Sequence, residues 1–188
     1  GGAEWMGASV DQDTGTMYVT ANNVPYEIYL TKNKEKFSYY EYQSHFSVLK
    51  DQNGFPASKP PWGTLTALNL NNGKIIWQTP FGEFDYLSDI SQNKTGTPNF
   101  GGATGTAGNL IFATGTMDKK VRAFDSNTGE EVWSYKLPYI GSNPPTIFSY
   151  KNEQYILITS TGSLSLNRIF PNQAEYGNWL YSFKLNKR

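Results

Sequence analysis

Thr66-Ala67-Leu68-Asn69-Leu70-Asn71-Asn72-Gly73-Lys74-Ile75-Ile76-Trp77 is matched well by Arg122-Ala123-Phe124-Asp125-Ser126-Asn127-Thr128-Gly129-Glu130-Glu131-Val132-Trp133. Each stretch reads as a short strand, an Asx/Gly turn and a second strand that ends in Trp. Asn72-Gly73 and Thr128-Gly129 place glycine where a tight hairpin needs positive φ. The two tryptophans stand 56 residues apart. That pitch suits one four-stranded unit with a long loop, repeated side by side.

Outward from the hairpins, period-2 patterning gives eleven strands. In an A-B-C-D order, a lone D strand lies near 5–11. One full blade follows near 16–22, 64–70, 74–80 and 98–106. A second spans 109–115, 120–125, 130–137 and 144–150. An A strand near 154–160 and a B strand near 179–185 end the chain. No helix of normal length fits. The fold class is all-β, a partial β-propeller of two complete blades and two partial ones over residues 1–188, with 23–63 as a long A–B insertion. Closed propellers have roughly four to eight blades, so these strands do not close a ring alone. A small β-sandwich accounts for the strand count, but not for the repeated Trp hairpin.

Composition agrees. The chain has 188 residues, 18 Gly, 10 Pro, 15% aromatics and 17% charged residues, a mix suited to short strands and turns. Sixteen basic side chains balance sixteen acidic ones, which gives no electrostatic case for nucleic acid or an anionic membrane. The lack of cysteine excludes disulfides and Cys-ligated metals. No apolar run approaches the roughly 18 residues of a membrane span, and no signal peptide opens the chain.

Antiparallel neighbours put alternate connections on opposite faces. Segments 12–15, 71–73, 126–129 and 151–153 are short turns on one face. Segments 23–63, 81–97 and 161–178 are long and share the other. Long loops on a rigid scaffold mark the face expected to bind.

Several stretches, taken in order, carry a family resemblance. They are Glu4-Trp5-Met6-Gly7-Ala8-Ser9-Val10-Asp11, Pro61-Trp62-Gly63, Gly101-Gly102 with Thr106-Ala107-Gly108-Asn109-Leu110-Ile111-Phe112, Arg122-Ala123-Phe124-Asp125 and Gln154-Tyr155-Ile156-Leu157-Ile158. The set resembles the C-terminal part of pyrroloquinoline quinone (PQQ)-dependent dehydrogenases, above all the membrane-associated glucose dehydrogenase type. The resemblance implies an eight-bladed ring in the bacterial periplasm, with PQQ and calcium near its axis. A sugar or alcohol gives a hydride to the quinone while an aspartate acts as base. The base and the calcium ligands belong to blades outside this segment. The remaining blades of the parent ring are thus expected partners, and the segment alone is expected to be inert. Self-association through open blade edges is expected too. The competing reading is a non-catalytic propeller that binds proteins.

The same resemblance nominates site residues. Thr20 falls where glucose dehydrogenases carry a PQQ-contacting Asn; its hydroxyl lacks the amide's paired donor and acceptor. Asn22 or Asn23 compensates only if the strand end is rearranged. Phe100 stands where alcohol-oxidising relatives have a cofactor-contacting Trp, and Gly101 and Gly102 would let backbone approach a planar ligand. Ser163, within Thr161-Gly162-Ser163-Leu164, follows the last A strand, where relatives have Gly-His-Gly. Trp77 and Trp133 are expected to dock blades. His45, the one histidine, lies among Tyr39, Tyr40, Tyr42 and Phe46, a loop suited to capping the substrate entrance or touching a partner. Glu83, Asp85 and Asp89 lack the spacing of a calcium loop. Asn93-Lys94-Thr95 fits a glycosylation sequon.

Overall fold

The two repeated hairpins lie in two of three larger antiparallel sheets in the computed structural model, which describes residues 1–35, 39–84, 94–171 and 175–184. In chain order the strands are β1 (Gly2–Asp11), β2 (Thr16–Asn22), β3 (Tyr26–Lys32), β4 (Tyr42–Val48), β5 (Gly63–Asn69), β6 (Ile75–Pro80) and β7 (Ala103–Gly105). They continue as β8 (Leu110–Ala113), β9 (Lys120–Asp125), β10 (Glu131–Lys136), β11 (Thr146–Tyr150), β12 (Glu153–Ser160) and β13 (Trp179–Lys184). One short helix, α1 (Leu164–Ile169), precedes β13. The sheets run β1-β2-β5-β6, β7-β8-β9-β10 and β11-β12-β13, and β3 pairs with β4 as a separate ribbon.

The two Trp hairpins share a register fault. Ala67 faces Trp77 while Leu68 faces Ile75, so Ile76 is extra. Ala123 faces Trp133 while Phe124 faces Glu131, so Val132 is extra. A bulge at this point sharpens the local twist. The Trp77 ring packs on Tyr18 of its own sheet, with centroids 6.0 Å apart. Its Nε1–H donates to the Ser126 carbonyl at 2.9 Å, in the hairpin turn of the next sheet. Gly129 in that turn has φ 73°, and a Cβ there would lie 2.5 Å from the indole. Beneath this contact Tyr18, Leu65 and Phe81 of the first sheet and its following loop meet Ile111 and Phe124 of the second. The second and third sheets meet through Val121, Leu137 and Ile158, with Trp133 edge-on to Phe183 at 5.4 Å.

The hydrogen bonding corrects the division into blades. The strand near 5–11 is no lone D strand, because β1 pairs with β2 from Asp11↔Thr16 outward. The strand expected near 98–106 belongs to the next sheet, since β7 pairs with β8, and its ladder is only Ala103–Gly105. The strand near 144–150 likewise pairs with β12. Each Trp hairpin is therefore the third and fourth strand of its sheet. Of the two partial blades, the lone strand joins the first four-stranded sheet, and the terminal pair gains β11 to make a three-stranded one. The physical reason is reach. A turn of a few residues, such as 12–15 or 151–152, joins hydrogen-bonded neighbours, whereas passage to the next sheet uses the longer 81–102 and 137–145. The 23–63 insertion holds the β3–β4 ribbon, which brings the strand count to thirteen among the described residues. The partition of connections between two faces survives this shift, because the shift moves every strand by one place.

Trp77→Ala removes both a ring contact and a hydrogen bond between sheets, and is expected to cost about 3 kcal/mol. Gly129→Ala is expected to destabilise in the same direction, because it strains the backbone and intrudes on the ring. Gly108→Ala, whose Cβ would meet nothing closer than 3.7 Å, should be near neutral. Urea unfolding midpoints of the three variants test this ranking.

Candidate functional site

The long-loop face carries its own core. Trp62, just before β5, stacks on Phe55 with centroids 5.3 Å apart and planes 7° apart. Phe84, in the loop after β6, meets Phe55 edge-on at 5.3 Å and Phe170, beyond α1, at 6.0 Å. Phe55, Trp62, Phe84, Ile169 and Phe170 are all buried, and Phe100 and Met117 pack against them. Loops from three sheets are thus joined by one apolar layer, anchored by the Trp62 Nε1–H on the Ser58 carbonyl at 2.8 Å.

Phe100 lies where this layer meets a second cluster of Ile140 and Leu166, and it is half-buried. Its backbone is held on both sides. The Phe100 amide donates to the Gly115 carbonyl at 3.1 Å, and Asn99 bridges Thr116. Gly101 is pressed so closely on Thr114 and Gly115 that a Cβ has no room. A Cβ on Gly102, where φ is 75°, would meet Pro144 at 3.0 Å and Met6 at 3.2 Å. The two glycines serve contacts between backbone segments and with neighbouring side chains of the chain itself.

Asn22, at the end of β2, spends its whole amide on its neighbours. Its Oδ1 accepts from the Asn99 backbone N–H and from Asn99 Nδ2, both at 2.9 Å. Its Nδ2 donates to the Asn99 carbonyl at 2.9 Å and to Glu4 Oε1 at 2.5 Å. Burial, more than any other influence, raises the Glu4 pKa above the ordinary glutamate value. Thr20 differs. It is fully buried, and its Oγ1 has no hydrogen-bond partner, nor has Asn99 Oδ1. Asn22 therefore offers no spare amide to stand in for Thr20. Asn23 is also engaged, its Nδ2 donating to the Lys59 carbonyl at 3.2 Å. Ser163 caps α1, its hydroxyl accepting from the Leu166 amide at 3.3 Å. Through Leu166 that helix rests on Phe100.

So the fold gathers Asn22, Phe100, Gly101 and Gly102 around Asn99, brings in Ser163 through α1, and leaves Thr20 one side-chain step along β2. Sequence reasoning missed Asn99, which carries no motif of its own. It missed Asp118 and Arg122 as well. Arg122, on β9, is 2% exposed and donates to Asp118 through Nη1 at 3.1 Å and through Nη2. Its Nε donates to Glu131 at 3.0 Å. Burial works to raise the Asp118 pKa, but hydrogen bonding and charge from Arg122, with the Thr116 hydroxyl, outweigh it and hold the carboxyl below the ordinary aspartate value.

His45 is paired rather than free: its Nε2 lies 2.7 Å from Thr31 Oγ1 and its ring stacks on Tyr29 at 5.1 Å. One face of the β3–β4 ribbon leaves Ile28, Leu30, Tyr42 and Phe46 exposed. Glu83 contacts Lys120 at 3.8 Å; Asp85, Asp89 and Asn93 lie outside the described residues. Among the described residues no group of three or more His, Cys, Asp or Glu side chains is placed to hold a metal. No helix among them is long and apolar enough to cross a membrane.

Residues 1–156 match the family described as "PQQ: Glucose/ethanol/alcohol dehydrogenase, beta-propeller domain". The chain belongs to this PQQ-dependent dehydrogenase family. It is 34% identical over 182 residues to a "Probable quinate dehydrogenase (quinone)" of Xanthomonas campestris pv. juglandis, covering 93% of this chain and 20% of that protein. It is 28% identical over 148 residues to "Quinoprotein glucose dehydrogenase A" of Acinetobacter calcoaceticus, covering 77% and 18%. The chain thus spans about a fifth of the length of the curated relatives it matches. Among solved structures, the quinohemoprotein alcohol dehydrogenase of Comamonas testosteroni superposes with a TM-score of 0.67 at 21% identity, over 98% of this chain and 26% of that one. A europium-containing methanol dehydrogenase gives 0.62 at 22%, over 82% and 24%. These two likenesses establish the propeller fold.

The half-buried Phe100 ring offers an apolar edge suited to a planar ligand, whereas the orphaned Thr20 hydroxyl is fully buried. PQQ carries three carboxylates, and none of the six nominated side chains is a cation. Arg122 gives most of its guanidinium to Asp118, Thr116 and Glu131.

The Asp118 carboxyl, with its lowered folded pKa, contributes stability that is complete above the unfolded value of about 4. That contribution is lost as pH falls below about 4 through the depressed folded pKa. The urea midpoint is therefore expected to drop between pH 5 and pH 2, and Asp118→Asn should flatten that slope. An unchanged slope would assign the acid sensitivity to other carboxylates.

Proposed function

We propose that the parent protein is a PQQ-dependent dehydrogenase of sugars or alcohols, facing the periplasm, and that this chain forms the last part of its catalytic ring. The family match over residues 1–156 carries the reading. Bound PQQ supplies an o-quinone that takes up a hydride from the substrate carbon. A calcium ion, held by residues outside this segment, accompanies it.

This chain's own residues build part of the wall. Phe100, braced by the aromatic layer and by α1, packs against the edge of the cofactor and keeps water from it. The Thr20 hydroxyl, fully buried in this chain, reaches a cofactor oxygen only if the end of β2 shifts to uncover it, and it then offers one donor where the family's Asn offers two groups. Asn22 holds Asn99 and so fixes the Phe100 backbone instead of touching ligand. Gly101 and Gly102 let that segment lie flat on its neighbours. Ser163 sets the start of α1. We assign neither a general base nor a metal cluster to the described residues.

Reconstitution of the full-length protein with PQQ and calcium, followed by dye-linked oxidation of sugars, quinate and simple alcohols, tests the reading. Saturable PQQ binding with cofactor-dependent turnover is expected; a full-length protein that binds no PQQ would refute it. Residues 1–188 alone should show no turnover under the same conditions. Thr20→Val, which removes a buried hydroxyl that has no protein partner, should leave the apo-protein as stable as the wild type or more so. It should weaken PQQ binding by about ten-fold, the cost of one hydrogen bond of roughly 1–1.5 kcal/mol. Unchanged affinity in that variant would remove Thr20 from the site.

A further inference from the structure

The segment 97–102 has no ladder of its own beyond a single bridge. Its position is set by a second segment, 114–118. Asn99 bridges Thr116, the Phe100 amide donates to the Gly115 carbonyl at 3.1 Å, and the Met117 amide donates to Thr97 Oγ1 at 3.1 Å. The side chain of Met117 packs against Phe100's two clusters from the other side.

The second segment is itself clamped from below. Asp118 Oδ1 accepts from the Thr116 hydroxyl at 2.6 Å and from the Lys120 amide at 3.2 Å. Asp118 Oδ2 accepts from the Glu83 amide at 2.9 Å, which ties in the loop after β6. Arg122 reaches up from β9 to pair with Asp118 and donates to Thr116 Oγ1 at 3.1 Å. The Asp118 and Arg122 side chains are 0% and 2% exposed. A buried pair of this kind is weak evidence for net stability, because the cost of desolvating both charges offsets their attraction. What it supplies is fixed geometry: both carboxylate oxygens and most of the guanidinium are committed to one arrangement of three backbone segments.

We propose that Asp118, locked by Arg122, is a positioning residue for the cofactor wall, acting through Thr116 and Met117 on the segment that carries Asn99, Phe100, Gly101 and Gly102. The inference rests on the reading of Phe100 as a cofactor contact. Asp118 itself touches no cofactor. It sets where the Phe100 ring stands, and a small displacement there is felt in binding.

The test uses the full-length parent protein and reads PQQ binding, by tryptophan quenching and by the absorption band of the bound quinone, alongside the melting temperature of the apo-protein. Asp118→Asn with Arg122→Met removes both charges together, so no unpaired buried ion is left. Thr116→Val keeps the ion pair and breaks only its link to the wall, and it answers the question if the double variant fails to fold. Trp133→Ala, at the far sheet interface, serves as a control that loses stability without disturbing 97–102. Both network variants are expected to weaken PQQ binding about ten-fold and shift the bound-quinone band. The control should retain wild-type affinity at whatever melting temperature it has. A folded network variant with wild-type affinity and band position overturns the inference alone. Wild-type protein that binds no PQQ overturns the proposed function, and this inference with it.

Discussion

The Trp77 indole can donate to the Ser126 carbonyl only because residue 129 has no side chain. That contact ties the first sheet to the hairpin turn of the second. A hydrogen bond fixes direction and the flat ring fixes spacing, so the two sheets dock at one offset. The bulge opposite Ala67 lets Trp77 stand against Tyr18 while its nitrogen reaches the next sheet. The equivalent bulge opposite Ala123 carries Trp133 to Phe183 of the third sheet. The apolar layer beneath, from Leu65 to Phe124, then packs without needing a polar group to define its register.

Docking of sheets at a set angle brings their long loops together on one face. There the chain uses two different kinds of glue. Aromatic rings from three loops stack into a dry layer, which is tolerant of shape but holds Phe100 firmly from one side. The Asn22–Asn99 amide clasp and the Asp118–Arg122 network hold the same segment by directional bonds from the other. The result is a rigid rim on which one hydroxyl, that of Thr20, is left buried and unpartnered. Buried polar groups are nearly always satisfied, and Asn99 Oδ1 is a second exception among the described residues.

The six residues singled out from the sequence divide by how their side chains are spent. Phe100 keeps part of its ring exposed, and the Thr20 hydroxyl is buried without a partner among the described residues. Asn22 and Ser163 are consumed by Asn99 and by the helix start. Gly101 and Gly102 are consumed by close contacts within the chain. The family resemblance pointed to all six without separating them, because an asparagine at a strand end looks the same whether or not its amide is already taken.

What the sequence determined by itself is local: the hairpins at Asn72-Gly73 and Thr128-Gly129, the strand positions to within a few residues, the docking role of Trp77, and the division into a short-turn face and a long-loop face. Backbone conformation and period-2 patterning are written over a few residues, so they can be read from a few residues. The grouping of strands into sheets had a clue in turn length, since 12–15 and 151–152 are too short to pass from one sheet to the next. Tertiary structure alone decided the rest. Asn22 meets Asn99 across 77 positions of chain, and Trp77 meets Ser126 across 49. Such contacts are set by how whole sheets dock, and no pattern confined to one segment encodes which distant partner will claim a side chain.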